Sequence, residues 1–84
     1  LAVANGTGGV ALGNGASNAG FANSVAVGAN SVNTAANQVS VGGRTLSGVA
    51  AAVAPTDAVN LAQMEAALAG ATGTLGAIRQ DVAQ

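Results

Sequence analysis

Three tetrapeptides constrain this chain most: Val10-Ala11-Leu12-Gly13, Val25-Ala26-Val27-Gly28 and Val39-Ser40-Val41-Gly42, whose starts lie 15 and then 14 residues apart. A self-similar period of this length is the mark of a stacked repeat, in which no single unit can bury its apolar face alone. Asn precedes the last two copies at Asn23 and Asn37, and Leu1-Ala2-Val3-Ala4 reads as a degenerate earlier copy. In an extended segment, alternate side chains point to opposite faces. Val25 and Val27 therefore share one face and Ala26 takes the other; the same holds for Val10 and Leu12, and for Val39 and Val41. The expected arrangement has the branched residues facing in and the small residue facing out, toward a neighbouring chain. Gly13, Gly28 and Gly42 then permit a sharp turn, continued by Asn14, Asn30 and Ser31. A second short strand is expected around Ala19-Gly20-Phe21-Ala22 and around Ser31-Val32-Asn33. At about 3.3 Å per residue, two strands and two turns fit one repeat. The predicted unit is a rung of a β-solenoid.

After Pro55 the hydrophobic period changes. Leu61, Met64, Leu68, Ala71, Leu75, Ile78 and Val82 follow in alternating steps of three and four. This is a heptad with Leu61, Leu68, Leu75 and Val82 at a and Met64, Ala71 and Ile78 at d. Leu at a with Ile at d favours three or four strands over two. Gly70, Gly73 and Gly76 fall on outer positions, each costing about 1 kcal/mol relative to Ala, so fraying is expected from Gly70 onward. The alternative is one amphipathic helix folding back on its own β-domain. Between repeat and heptad lies Ser47-Gly48-Val49-Ala50-Ala51-Ala52-Val53-Ala54, apolar and helical by propensity. Pro55 closes it, and Thr56 or Asp57 is the expected cap of the following helix.

Composition points to self-association. The chain has 84 residues and 13 Gly, with one Phe, one Met and no Trp, Tyr, Cys or His. Such small side chains bury little area against the entropy of ordering. Small folds in that position need disulfides, metal or oligomers, and without Cys or His the third remains. The only charged residues, Arg44, Arg79, Asp57, Glu65 and Asp81, are too few cations for nucleic acid. The longest apolar run, Val49 to Ala54, falls far short of the roughly 20 residues a membrane span needs. The N-terminus lacks the basic start and long apolar core of a signal peptide.

These residues resemble a known family. The Val25-Ala26-Val27-Gly28 repeats are similar to the head repeats of trimeric autotransporter adhesins, the YadA-like surface proteins of Gram-negative bacteria. Asp57-Ala58-Val59-Asn60-Leu61-Ala62-Gln63-Met64 resembles the family's neck motif, Asp-Ala-Val-Asn-x-x-Gln-Leu, with Met64 in place of Leu. Val39-Ser40-Val41-Gly42-Gly43-Arg44 resembles the approach to that neck. Gly48-Val49-Ala50-Ala51-Ala52 departs from the usual Asn-Val-Ala-Ala-Gly. The resemblance implies a mainly β fold with a C-terminal α-helix. Three chains would form a left-handed parallel β-roll head (1–43), a neck where chains cross (44–60) and a coiled-coil stalk (61–84). It also implies that Asp57 and Asn60 lock the neck through backbone and inter-chain hydrogen bonds, with Gln63 in a supporting role.

The functional expectation is a homotrimeric adhesive module at the bacterial cell surface, held to the outer membrane by a part of the fibre not in this sequence. Its partners would be host extracellular-matrix or cell-surface molecules, bound by multivalency. A non-adhesive spacer is the alternative within that class. An ice-binding solenoid is the alternative outside it, but Thr34 and Thr45 do not occupy matching places in successive repeats. No enzyme or cofactor is expected, since acid–base chemistry needs positioned titratable groups. Gly6-Thr7-Gly8-Gly9-Val10-Ala11 fits a loose dinucleotide fingerprint without the required helix or acidic residue.

Overall fold

A computed structural model describes residues 1–83. The chain divides into two compact units, Leu1–Thr45 and Leu46–Gln84. Gln84, the last residue of the expected stalk, lies outside the described residues.

The first unit is a stack of rungs. Three short strands, β1 (Val10–Leu12), β2 (Val25–Val27) and β3 (Val39–Ser40), form one parallel sheet in sequence order. Val10 pairs with Val25, and Val25 with Val39, which is the alignment of the tetrapeptides. The second column is thinner and consists of bridges from Val3 to Ser17 and from Ser17 to Val32. Two expectations are corrected here. Leu1–Ala4 is no copy of the tetrapeptide, because Val3 belongs to the second column. In the middle rung that column passes through Ser17, while Ala19–Ala22 lies in the turns beyond it. Asn23, Asn30 and Asn37 occupy left-handed corners, with φ of 55°, 61° and 61°, a conformation Asn tolerates better than other non-Gly residues. Each donates its backbone N–H one level up, to Thr7, Asn14 and Ala22 respectively.

The roll's interior is the reverse of the expected one. Ala16 and Ala26 are wholly buried, as are Asn18, Ser24 and Ser31, with Asn33 at 1% exposure. Val10, Leu12, Val27 and Val39 instead lie on the outer face, with Val39 69% exposed. The cause is the thinness of a two-column rung, whose facing backbones approach within reach of one amide. Asn18 Nδ2 lies 3.1 Å from both Val10 O and Ser24 O, and 2.8 Å from Asn33 Oδ1. Asn33 Nδ2 repeats the pattern one rung on, donating to Val25 O and Ser40 Oγ. Between such walls a Val or Leu side chain has no room, and the buried amides satisfy the backbone as they must.

The asparagine ladder ends at Asn18, whose buried Oδ1 has no partner among the described residues. Because Val3 pairs with Ser17, Ala4 stands where a third asparagine would reach it. Ala4→Asn is expected to supply the missing donor and raise stability by about 1 kcal/mol, read as a higher urea midpoint with unchanged slope. At the other end Arg44 closes the stack. Its Nη2 donates to Ala29 O at 2.9 Å, and its Nη1 lies 3.2 Å from both Ser31 Oγ and Val41 O.

The second unit contains α1 (Leu61–Ala83), 23 residues. It is helical through Gly70, Gly73 and Gly76, and Thr74 Oγ1 donates back to Gly70 O at 3.0 Å. Residues 46–60 contain no helix, although the alanines favour one. Their backbone groups are taken by side chains of the joint.

Candidate functional site

The joint is built from three polar side chains working on the preceding connector. Asn60 is the helix N-cap: its Oδ1 accepts from Gln63 N at 3.0 Å, while Gln63 Oε1 accepts from Asn60 N at 3.2 Å. This reciprocal pair is a capping box. It corrects the placement of the cap at Thr56 or Asp57. Asn60-x-x-Gln63 directly before an apolar-periodic run is the signal that locates it. Gln63 also clamps the connector, accepting from Ala52 N at 2.8 Å and donating to Ala52 O at 3.0 Å. Asn60 Nδ2 donates to Val49 O at 3.0 Å. A helix over Val49–Ala54 would need these same backbone groups, so the side chains hold the segment open.

Gln63 therefore makes more joint contacts than either residue expected to dominate. Gln63→Ala frees both Ala52 backbone groups and half of the capping box. The expected loss is about 2 kcal/mol, read as an earlier urea transition of the helical signal while the roll's interior amides keep their exchange protection.

Asp57 has a separate task. Its Oδ2 accepts from Ala54 N at 2.9 Å and Val53 N at 3.0 Å, and its own N–H donates to Ala54 O. It thus fastens the turn through Pro55 and Thr56. The backbone N–H of Ala54, and then that of Val53, hold its carboxyl below the ordinary value of 3.8. These bonds favour the charged form. A depressed folded pKa contributes stability that is full above the unfolded value and disappears as pH falls through the folded one. Acid titration is expected to loosen the turn below about pH 4, and Asp57→Asn should remove that part of the pH dependence.

Ala58 and Val59, the remaining residues of the neck motif, line one side of an open groove of about 450 Å³ with Leu46, Val49, Leu61 and Ala62. Along α1, the large seam residues Leu61, Met64, Leu68, Leu75, Ile78 and Val82 are all exposed, from 48% at Leu75 to 82% at Val82. Ala71 shares that exposure. On the roll, Val10, Leu12, Val27 and Val39 make a second exposed apolar surface. Gly13, Gly28 and Gly42 end the tetrapeptides in positive φ, and Val25 and Val41 are partly covered.

No group of three or more His, Cys, Asp or Glu able to hold a metal occurs among the described residues. Gly6–Ala11 runs through a turn into β1 and opens no helix. Among the described residues, no helix is long and apolar enough to cross a membrane. Neither models of protein families nor curated proteins give a match to this chain.

Proposed function

We propose that this chain is a head, neck and stalk segment of a homotrimeric bacterial surface fibre of the trimeric autotransporter adhesin type. Its work is assembly and multivalent display. The observation that carries this reading is the outward placement of nearly every large apolar side chain. Val10, Leu12, Val27 and Val39 on the roll, and the seam from Leu61 to Val82 on α1, are exposed in the single chain. Apolar surface on this scale marks an interaction site. A neighbouring copy covers both surfaces with the same chemistry, and Leu at a with Ile at d suits three copies. The joint supports the reading too, since a clamped, non-helical connector gives the chain a defined path into its helix.

Adhesion to host matrix or cell-surface molecules follows from the family resemblance and from the multiplicity of a trimer. The sparsely charged roll serves equally in a spacer, which displays other heads without binding.

Native mass by light scattering across a dilution series tests the assembly. A mass of three chains that persists on dilution is expected, with cooperative unfolding that depends on chain concentration. A stable monomer would refute the shared core. Immobilised matrix proteins then separate adhesive module from spacer, because only the first retains the trimer.

A further inference from the structure

Met64 carries the only sulfur in a chain that has no Cys, Trp, Tyr or His. It is therefore the one side chain here that a mild oxidant attacks readily. It directly follows the capping box and is 54% exposed. Its backbone N–H donates to Asn60 O at 3.2 Å in the first helical turn. Its side chain takes no part in the clamps that Asn60 and Gln63 place on Val49 and Ala52. Oxygen added to the sulfur leaves those clamps intact. The heptad, however, sets the same side chain at d, between Leu61 and Leu68 of the seam. A side chain exposed in the single chain is thus the one that association would bury.

We propose that Met64 is an oxidation site that gates assembly: a chain whose Met64 has become the sulfoxide is disfavoured in the three-chain seam. The inference rests on the assembly proposed above. The oxidant is hydrogen peroxide. One of its oxygens bonds to the Met64 sulfur, which gives up two electrons; the O–O bond breaks, and the other oxygen leaves as water. In a free chain the polar S=O group stays in water and costs little. In the seam it meets only Leu61, Leu68 and the other apolar residues at a and d, none of which donates a hydrogen bond. A buried acceptor without a donor is penalised. The expected weakening is about tenfold per chain, and so about a thousandfold for the association of three. Once chains have assembled, the seam shields the sulfur, so peroxide acts on chains before they associate. Methionine sulfoxide reductases reverse the change.

The full chain is unfolded in urea, treated with hydrogen peroxide, freed of peroxide and refolded, with intact mass showing one added oxygen. Untreated protein and peroxide-treated Met64→Leu, a volume-conserving change, are carried alongside. Light scattering then follows all three across a dilution series at a urea concentration where the untreated protein is half assembled. The oxidised protein should need about thirtyfold more chain to reach the same point, which is the thousandfold change read through a three-chain equilibrium. Treated Met64→Leu should match its own untreated sample, and a sulfoxide reductase should return the oxidised protein to the untreated curve. Coincident curves for oxidised and untreated protein would overturn the gate and leave the assembly reading standing, as would an equal loss in treated Met64→Leu. Single-chain mass in untreated protein without urea would overturn both. Peroxide added to the assembled protein gives an independent readout. Met64 should oxidise about tenfold more slowly than N-acetylmethionine amide, as a seam residue that must open first, and an equal rate would overturn the proposal.

Discussion

Gly13→Ala is expected to abolish the folded roll or cost it about 4 kcal/mol or more, the range reserved for a steric conflict that cannot relax. Two costs add. The φ of +121° is one that a side-chain-bearing residue adopts at a penalty of about 1–2 kcal/mol. The added Cβ would then lie 2.7 Å from Gly28 C, 2.8 Å from Ala29 N and 3.0 Å from Gly28 O. All three are backbone atoms, anchored by the Gly28 N–H bond to Leu12 O and the Ser31 N–H bond to Gly28 O, so none can swing away. Two glycines calibrate the result. At Gly28 the added Cβ meets the Arg44 guanidinium at 2.7–3.1 Å, which moves at the expense of its three hydrogen bonds. At Gly20, with φ +83°, it meets nothing within 4 Å, leaving only the backbone penalty of about 1–2 kcal/mol. The expected order of loss in urea midpoint is Gly13, then Gly28, then Gly20. If Gly13→Ala costs no more than Gly20→Ala, close rung-on-rung contact is not what holds this stack.

The opposite sign is expected on the helix. Gly70, Gly73 and Gly76 sit in the interior of α1, and a Cβ at any of them meets nothing within 4 Å. None has positive φ, so Ala fits the backbone already there. Replacing all three by Ala should stabilise α1 by about 3 kcal/mol per chain, from roughly 1 kcal/mol at each site. In a three-chain assembly the gain applies to every helix and appears as a large upward shift in the helical thermal midpoint. The heptad places the three glycines at c, f and b, away from the seam formed by Leu61, Leu68, Leu75 and Ile78. A loss of stability, or of the native mass, in the triple variant would mean that a neighbouring chain packs on the glycine face. The heptad assignment would then be wrong.

These two series address the parts of the molecule that differ most in how they could be read. The tetrapeptide spacing alone was enough to align Val10, Val25 and Val39, because parallel rungs of one repeat pair in register. The change of apolar period placed a helix after the repeat but not its first residue, since the cap expected at Thr56 or Asp57 lies at Asn60. The candidate site was legible as a motif, Asp57 to Met64, but its internal hierarchy was not. Gln63 is its hub because the connector brings Ala52 beside it, a proximity across 11 residues of chain that no local pattern records. Arg44 and Asn18 were missed as structural residues for the same reason: their partners lie a rung away.

What the sequence determined by itself was the repeat length, its register, the switch from strand to helix, and a supply of large side chains too small for an ordinary core. What only the tertiary structure decided was which face of each rung turns inward. Alternation along a strand separates Val25 and Val27 from Ala26 but assigns neither set to the interior. That choice depends on the distance between facing walls, which in this roll is short enough for Asn18 to span from Val10 O to Ser24 O. So narrow a space admits alanine, serine and hydrogen-bonded amides, and it leaves the branched side chains on the outer face.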